Sequence, residues 1–179
     1  MSSHPVRSHA VNRLPALAGP AAWNAILGPQ AARPALEGPR TADVVIIGAP
    51  FVAGWGKKYS GVDKDDWLAA TKRVRQQSIR YRSGYIQEFD LDVFEHLKVV
   101  DYGDADIPPE TSYEGTVEKI LEAQEATIAK VKDALAVGAI PIVIGQNSPC
   151  GSYAVGKPIA DNVTGPVGMV SLDTHWDAW

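Results

Sequence analysis

The sequence is poor in several features that mark particular classes of protein. It contains a single cysteine, Cys150, which we interpret as structural; no disulfide can form within the chain, and a reducing cytoplasm is the expected location. No apolar stretch reaches the length of about 20 residues that a membrane-spanning helix needs. Pro15 and Pro20 interrupt the region where the apolar core of a secretion signal would lie. The formal net charge of -4 argues against a nucleic-acid-binding surface.

Three sequence motifs that would indicate a common enzyme class are also missing. The segment 54–57, Gly-Trp-Gly-Lys, suggests a phosphate loop, but that motif requires a glycine where Phe51 stands. The dinucleotide fingerprint fails because Tyr59 replaces its third glycine. No nucleophile elbow surrounds Ser148, so a Ser-His-Asp triad with His175 has no support. Nucleotide binding and serine hydrolysis are therefore not expected.

What is present is an ordinary globular composition, 45% hydrophobic and 21% charged, with enough residues for one packed domain. Residues 1–41 are rich in Pro and Ala and carry few charges. They predict an irregular arm that packs either on a partner subunit or on its own domain. Regular patterns begin at residue 42, and we predict that residues 42–179 belong to the folded domain.

Short, continuously apolar runs alternate with amphipathic segments in this second region. Such runs are typical of strands buried on both faces of a parallel sheet, and the amphipathic segments between them predict crossover helices. The predicted strands are 43–48, 97–101, 139–145 and 167–172. The predicted helices are 67–85, 116–137 and a short one through Lys157 and Pro158. The sequence therefore predicts an α/β domain built on a parallel sheet.

The polar residues with the clearest chemical potential follow these predicted strands, at the sheet edge where parallel sheets bind ligands. They are Asp101, Asp104, the segment 146–148, Asp173, His175 and Asp177. Alternate residues of an extended chain point to one side, so the last three would bring two carboxylates and an imidazole together. Such a cluster is costly unless a cation lies within it, and a divalent metal is the usual one. The alternative is a strand that ends in a polar turn.

The order of these segments resembles the ureohydrolase family, which contains arginase, agmatinase and other guanidino-group hydrolases. Asp173-Thr-His-Trp-Asp177 is similar to the family signature D-A-H-x-D. Four weaker matches occur in the family order: 45–51 with I-G-x-P, 73–80 with R-x-G-P-x-x-I-R, 100–104 with D-x-G-D, and 142–148 with G-G-D-H-S. The resemblance covers residues 42–179. It implies a three-layer α-β-α parallel sheet of the arginase-like type, of which this chain would hold the N-terminal half.

The resemblance also implies a mechanism. Two divalent cations, manganese in most members and nickel in some, share a hydroxide that attacks the guanidinium carbon, and an amine and urea are released. By resemblance, Asp173 would bridge the metals, His175 would bind one of them and Asp177 the other. Asp101 and Asp104 would shape the fold or the rim of the site and would not be ligands.

Three departures from the family pattern bear on activity. Ser148 stands where G-G-D-H-S supplies a histidine ligand, and a hydroxyl is a poorer ligand than imidazole for these ions. Arg75 and Gln76 replace the Gly-Pro of R-x-G-P. The sequence stops at Trp179, before the further D-x-D pair of the family. We therefore expect either a fragment or a sheet that another polypeptide completes.

Two functions fit these residues, and an α/β domain without metal is a third possibility. The first is an agmatinase-like hydrolase that cleaves a C-N bond of a guanidino or biguanide compound, releasing an amine and urea or a urea analogue. The second is a non-catalytic subunit with a degraded metal site that assembles with a catalytic paralogue, as in the heteromeric biguanide (metformin) hydrolases. The expected partners are a small guanidino substrate and other subunits in a homo- or hetero-oligomer. Nucleic acid and membrane are not expected partners.

Overall fold

The structure, a computed structural model, describes residues 42–52, 63–77, 84–113, 115–145, 152–168, 170 and 172. Its strands are β1 (Val44–Ala49), β2 (Tyr85–Ile86), β3 (Leu91–Asp92), β4 (Val99–Asp104) and β5 (Ile140–Gly145). Its helices are α1 (Lys64–Gln76), α2 (Val93–His96), α3 (Pro109–Tyr113), α4 (Val117–Ala136) and α5 (Ala154–Asn162). None of these helices combines the length and the apolarity that a membrane span requires.

The centre of the fold is a parallel sheet in the order β4-β1-β5. At its amino end Val44 of β1 lies opposite Val99 and Ile140, and at its carboxyl end Gly48 lies opposite Asp104 and Ile144. The strands alternate in sequence with helices that pack on the sheet. This arrangement confirms the predicted α/β fold class, and it aligns the carboxyl ends of all three strands at one edge.

Successive residues of β1 serve the two faces of the sheet. Val45 and Ile47 are completely buried and form a core cluster with Val131 and Ala134 of α4. Gly48 lies on the other face, in contact with side chains of α1 and β4. Both faces of the central strand are therefore covered, which explains its continuously apolar sequence.

Helix α4 matches its predicted span, 116–137, almost residue for residue. Its N-terminal cap is Thr116, whose hydroxyl accepts a hydrogen bond from the backbone N-H of Lys119. Gly138 follows the helix with a φ of 72°, a left-handed conformation that glycine adopts without steric cost. The apolar periodicity and the cap at each end are both visible in the sequence, so the bounds of this helix could be predicted from it.

The predicted helix 67–85 is wrong at both ends. Helix α1 begins at Lys64 because the Asp63 side chain caps it, accepting a hydrogen bond of 2.7 Å from the backbone N-H of Asp65. The helix ends at Gln76, and Tyr85 belongs to a strand.

A small antiparallel hairpin, β2–β3, replaces the end of that predicted helix. Tyr85 pairs with Asp92, and Ile86 pairs with Leu91. The turn passes through a short 3-10 helix, 87–89, and through Asp90, which has a left-handed φ of 47°. Each strand has only two residues, too few to produce a recognisable alternation in sequence.

The predicted strand 167–172 is also wrong where the structure describes it. Residues 167, 168, 170 and 172 are not in a strand, and the side chains of Val170 and Leu172 are 87% and 97% exposed. An apolar segment gains the hydrogen bonds of a strand only by pairing with another one. Among the described residues, β5 pairs only with β1.

Candidate functional site

Four side chains form a polar cluster where β1 and β4 end, and we call it the Arg75 cluster: Thr71, Arg75, Asp101 and Asp104. The Arg75 side chain is only 6% exposed. Its Nε lies 3.1 Å from both carboxylate oxygens of Asp101, and its Nη1 lies 2.7 Å from Oδ1 of Asp104. The Thr71 hydroxyl donates to the same Asp104 oxygen at 3.1 Å. One guanidinium thus joins two carboxylates at the edge of the sheet.

Secondary structure explains how these side chains meet. Thr71 and Arg75 are four residues apart on α1, so both lie on the helix face that packs against β4. Gly103 has a φ of 77°, and its backbone N-H donates to Oδ1 of Asp101 at 2.9 Å. This left-handed turn within β4 accompanies the register shift between β1 and β4. The Asp101 carboxylate is consequently held from two directions.

Gly48 of β1 makes room for the cluster. A Cβ atom at this position would overlap Oδ1 of Asp104 and Nη1 of Arg75. The Gly48 carbonyl also accepts a hydrogen bond of 2.7 Å from the backbone N-H of Ala105, directly after β4. Strand β1 therefore approaches both the end of β4 and the Arg75 side chain closely at Gly48. Only glycine leaves enough room for this approach.

The electrostatics of the cluster keep Arg75 charged. Burial by itself lowers the pKa of Arg75. Two carboxylates outweigh this effect, Asp101 first through its negative charge, and then both Asp104 and Asp101 through their hydrogen bonds and the charge of Asp104. The pKa of the guanidinium is therefore raised above its ordinary value. Arg75 is therefore a buried cation with two carboxylates at hydrogen-bonding distance, and it ties α1 to β4.

The Arg75 cluster does not have the composition of a metal site. Within the described ranges there is no group of three or more His, Cys, Asp or Glu residues placed to hold a metal ion. The Asp101 and Asp104 carboxylates accept hydrogen bonds from Arg75, Thr71 and Gly103. Both carboxylates thus accept hydrogen bonds at the edge of the sheet where β4 ends.

The metal ligands expected from sequence, Asp173, His175 and Asp177, lie outside the described residues, and so does Ser148. They stay predictions. The described element nearest to Ser148 in sequence is β5, whose last residue, Gly145, lies opposite Ala49 of β1. Strand β5 thus ends at the same edge of the sheet as the Arg75 cluster.

Sequence reasoning missed Arg75 as the cation of this edge and treated it only as a departure from a motif. The signal was available in two places: Asp101 and Asp104 follow a predicted strand without an assigned partner, and Thr71 and Arg75 have helical i, i+4 spacing. What the sequence did not show was which of the basic residues of α1 points inward. Arg73, two residues away, forms an exposed ion pair with Asp66 instead.

A second missed cation lies on the opposite face of the sheet. Lys130 of α4 is buried, and its Nζ donates to the backbone carbonyl of Tyr102 at 2.9 Å and lies 3.9 Å from the centre of the Tyr102 ring. The Tyr102 hydroxyl in turn donates to Asp133 of α4. Both faces of β4 are therefore tied to a helix by a buried cation.

Comparison with known proteins gives one match and one negative result. The family model described as Arginase family matches residues 42–179, well over half of the chain. The matched range contains β1, the Arg75 cluster, β5 and the three residues Asp173, His175 and Asp177. No curated protein matches the sequence.

Proposed function

Because the chain belongs to the arginase family, we propose that it is, or forms part of, a metal-dependent ureohydrolase that cleaves a C-N bond of a guanidino compound. The observation that carries this proposal is the family match across residues 42–179, which includes the D-x-H-x-D signature from Asp173 to Asp177. Family members are typically binuclear manganese enzymes. In more detail, we propose that the substrate is agmatine-like or a biguanide. Its hydrolysis releases an amine together with urea or a urea analogue.

The chemistry of the three signature residues fits the metal. Carboxylate oxygens together with an imidazole nitrogen suit manganese, and they also suit nickel. Asp173 would bridge two ions, with His175 on one and Asp177 on the other. When bound, the ions supply a water acidic enough to act as a nucleophile at neutral pH. The protein itself has to place a guanidinium carbon beside that water.

Metal content and hydrolysis together test the proposed function. The purified chain is incubated with manganese or nickel, separated from free metal, and assayed for bound metal and for amine release from arginine, agmatine and a biguanide. The proposal predicts bound metal and hydrolysis of at least one of these substrates. A chain that binds neither metal and hydrolyses none of them, alone or with a catalytic relative from the same organism, contradicts it.

A second candidate function has a specific residue in its favour. Ser148 stands at a position where the family has a metal-binding histidine, so one of the two metal positions is weakened. We propose as the alternative a non-catalytic subunit that acts in a hetero-oligomer with a catalytic paralogue. Ser148→His discriminates the two. If the serine has disabled a site, this substitution raises bound metal by up to one equivalent per chain, whereas a chain that is already active alone gains nothing.

A further inference from the structure

The charge of the chain is distributed unevenly between the arm and the domain. Residues 1–41 contain four arginines, one glutamate and no lysine or aspartate, for a formal net charge of +3. Residues 42–179 hold the other 13 basic and 20 acidic side chains, for a net charge of -7. Six of the 13 prolines also lie in the arm. A basic, proline-rich segment is thus joined to an acidic domain, and the two attract each other.

One segment of the domain, residues 84–97, carries exposed aromatic rings and exposed acidic side chains, and we call these residues the hairpin face: Tyr85, Glu88, Phe89 and Glu95. Phe89 is 76% exposed and Tyr85 is 52% exposed. Residues 84–97 contain four acidic residues and no lysine or arginine. Exposed apolar side chains that adjoin one another, unlike single scattered ones, mark interaction sites.

The hairpin that carries this face is held by its own hydrogen bonds. The Tyr85 hydroxyl donates to Oδ1 of Asp90 at 2.6 Å. Oδ1 of Asp92 accepts from the backbone N-H groups of Gly84 and Phe94, at 3.1 and 3.0 Å. The face is therefore preformed, and a ligand segment would not have to order it.

The arm joins the domain next to this hairpin. The backbone N-H of Asp43 donates to the carbonyl of Lys98 at 2.8 Å, and the backbone N-H of Lys98 donates to Oδ2 of Asp43 at 2.7 Å. Helix α2 directly follows the β2–β3 hairpin in sequence and ends two residues before Lys98. Asp43, two residues after the end of the arm, is consequently bonded to Lys98, two residues after the end of α2.

We propose that the hairpin face is the docking surface for residues 33–41 of the same chain, Arg-Pro-Ala-Leu-Glu-Gly-Pro-Arg-Thr. A segment with two prolines favours the extended polyproline conformation, which packs on exposed aromatic rings at low entropic cost. Arg33 and Arg40 match the carboxylates of Glu88 and Glu95 in charge.

The reach of the segment and its tether both favour the same chain as the occupant. Nine extended residues span about 30 Å at roughly 3.3 Å each, which is more than the length of the hairpin. The tether at Ala42 gives these residues a high local concentration at the hairpin, which a second copy lacks. The inference is independent of the proposed catalytic function.

Hydrogen exchange of the full-length chain tests the docking. The expected result is slowed exchange of residues 33–41 in the parent protein. The double substitution Glu88→Arg with Glu95→Arg, and separately Arg33→Glu with Arg40→Glu, should each speed this exchange about five- to tenfold, since each reverses two charge pairs. Combining all four substitutions should restore the slow exchange, because the pairs are re-formed with exchanged signs.

Controls separate docking from general effects. Glu125→Arg on α4 reverses an exposed charge on a different element and should leave the arm unchanged. Phe89→Ala should speed exchange of the arm without altering the thermal midpoint of the domain, since this ring is exposed. Ile142→Ser tests whether the arm docks instead on the exposed apolar face of β5. If this substitution speeds the exchange of residues 33–41 and the hairpin substitutions do not, the proposal is overturned.

Two further outcomes overturn it as well. Fast exchange of residues 33–41 in the parent protein means that the arm is not docked. Slow exchange that disappears on dilution means that the occupant is the arm of a second copy. Slow exchange independent of concentration, lost in both charge-reversed pairs and regained in their combination, supports docking within one chain.

Discussion

Nη1 of Arg75 lies 2.7 Å from Oδ1 of Asp104, and this contact ties the last turn of α1 to the last residue of β4. The same guanidinium binds Asp101, which is itself 7% exposed. Arg75 thus places a buried cation at the edge of the sheet where β4 ends. Its neighbours Gly48 and Thr71 are arranged around that cation.

We expect Arg75→Met to destabilise the domain by roughly 3–5 kcal/mol, because it leaves the buried Asp101 carboxylate without its cation. Urea denaturation followed by circular dichroism measures the free energy of unfolding. Arg73→Met is the matched control on the same helix, and its exposed pair with Asp66 should contribute less than about 1 kcal/mol. Equal effects of the two substitutions would contradict a buried tie at Arg75.

We expect Gly48→Ala to cost about 2 kcal/mol or more, because the added methyl group overlaps Asp104 and Arg75 and forces the cluster apart. Gly156→Ala is the matched control. Gly156 lies inside α5, and a methyl group there meets no atom within 4 Å. Its substitution should be neutral or stabilise the helix by up to about 1 kcal/mol. The difference between the two thermal midpoints is the measurement.

A pH-dependent contribution is expected at the contact between α3 and α4. The Thr111 hydroxyl donates to Oε2 of Glu122 at 2.7 Å, and Nζ of Lys119 donates to the same oxygen at 3.1 Å. These hydrogen bonds, that of Thr111 first, lower the pKa of Glu122 below its ordinary value of 4.5. A lowered pKa in the folded state means that the stabilisation is present above the unfolded value and is lost as the pH falls below it.

Thermal midpoints measured between pH 7 and pH 3 check this sign. The parent protein should lose more stability in the acid range than Glu122→Gln, whose side chain does not titrate. Glu125→Gln, an exposed position one turn further along α4, should follow the parent curve. A curve for Glu122→Gln that is parallel to the parent throughout would show that Glu122 makes no titrating contribution.

The predicted metal ligands are tested by conservative substitution. Asp173→Asn should lower bound manganese or nickel and reduce any hydrolysis by at least about 100-fold, since a neutral amide is a far weaker ligand than a carboxylate. Asp161→Asn is the control, because Asp161 forms an exposed ion pair with Lys157 on α5. Inductively coupled plasma mass spectrometry gives the metal content per chain. Unchanged metal content in Asp173→Asn would exclude this residue as a ligand.

The part of the fold that could be predicted from sequence is the part that local patterns specify. Continuous apolar runs bounded by glycine located β1 and β5, and periodicity with a cap at each end located α4. The β2–β3 hairpin was missed because two residues per strand leave no alternation to detect. Residues 167–172 have the composition of a strand, but composition does not supply a pairing partner.

The candidate site was harder to predict for a related reason. The carboxylates at the sheet edge could be identified because they follow an apolar run, whereas their cation lies 26 residues before Asp101 and 29 before Asp104. Nothing local distinguishes Arg75 from Arg73. Only the packing of α1 on β4 decides which of the two points inward.

Because β1 lies in the middle of the sheet, it is synthesised before both of the strands with which it pairs. Val44 pairs with Val99 and with Ile140, so its two neighbours emerge 55 and 96 residues later. At a translation rate of roughly 5–20 residues per second, β1 waits about 5–20 seconds for its second partner. During that interval its apolar residues are exposed on the ribosome. The nascent chain is therefore a candidate client for chaperones that bind short apolar strands, and slower translation between residues 49 and 140 would lengthen its dependence on them.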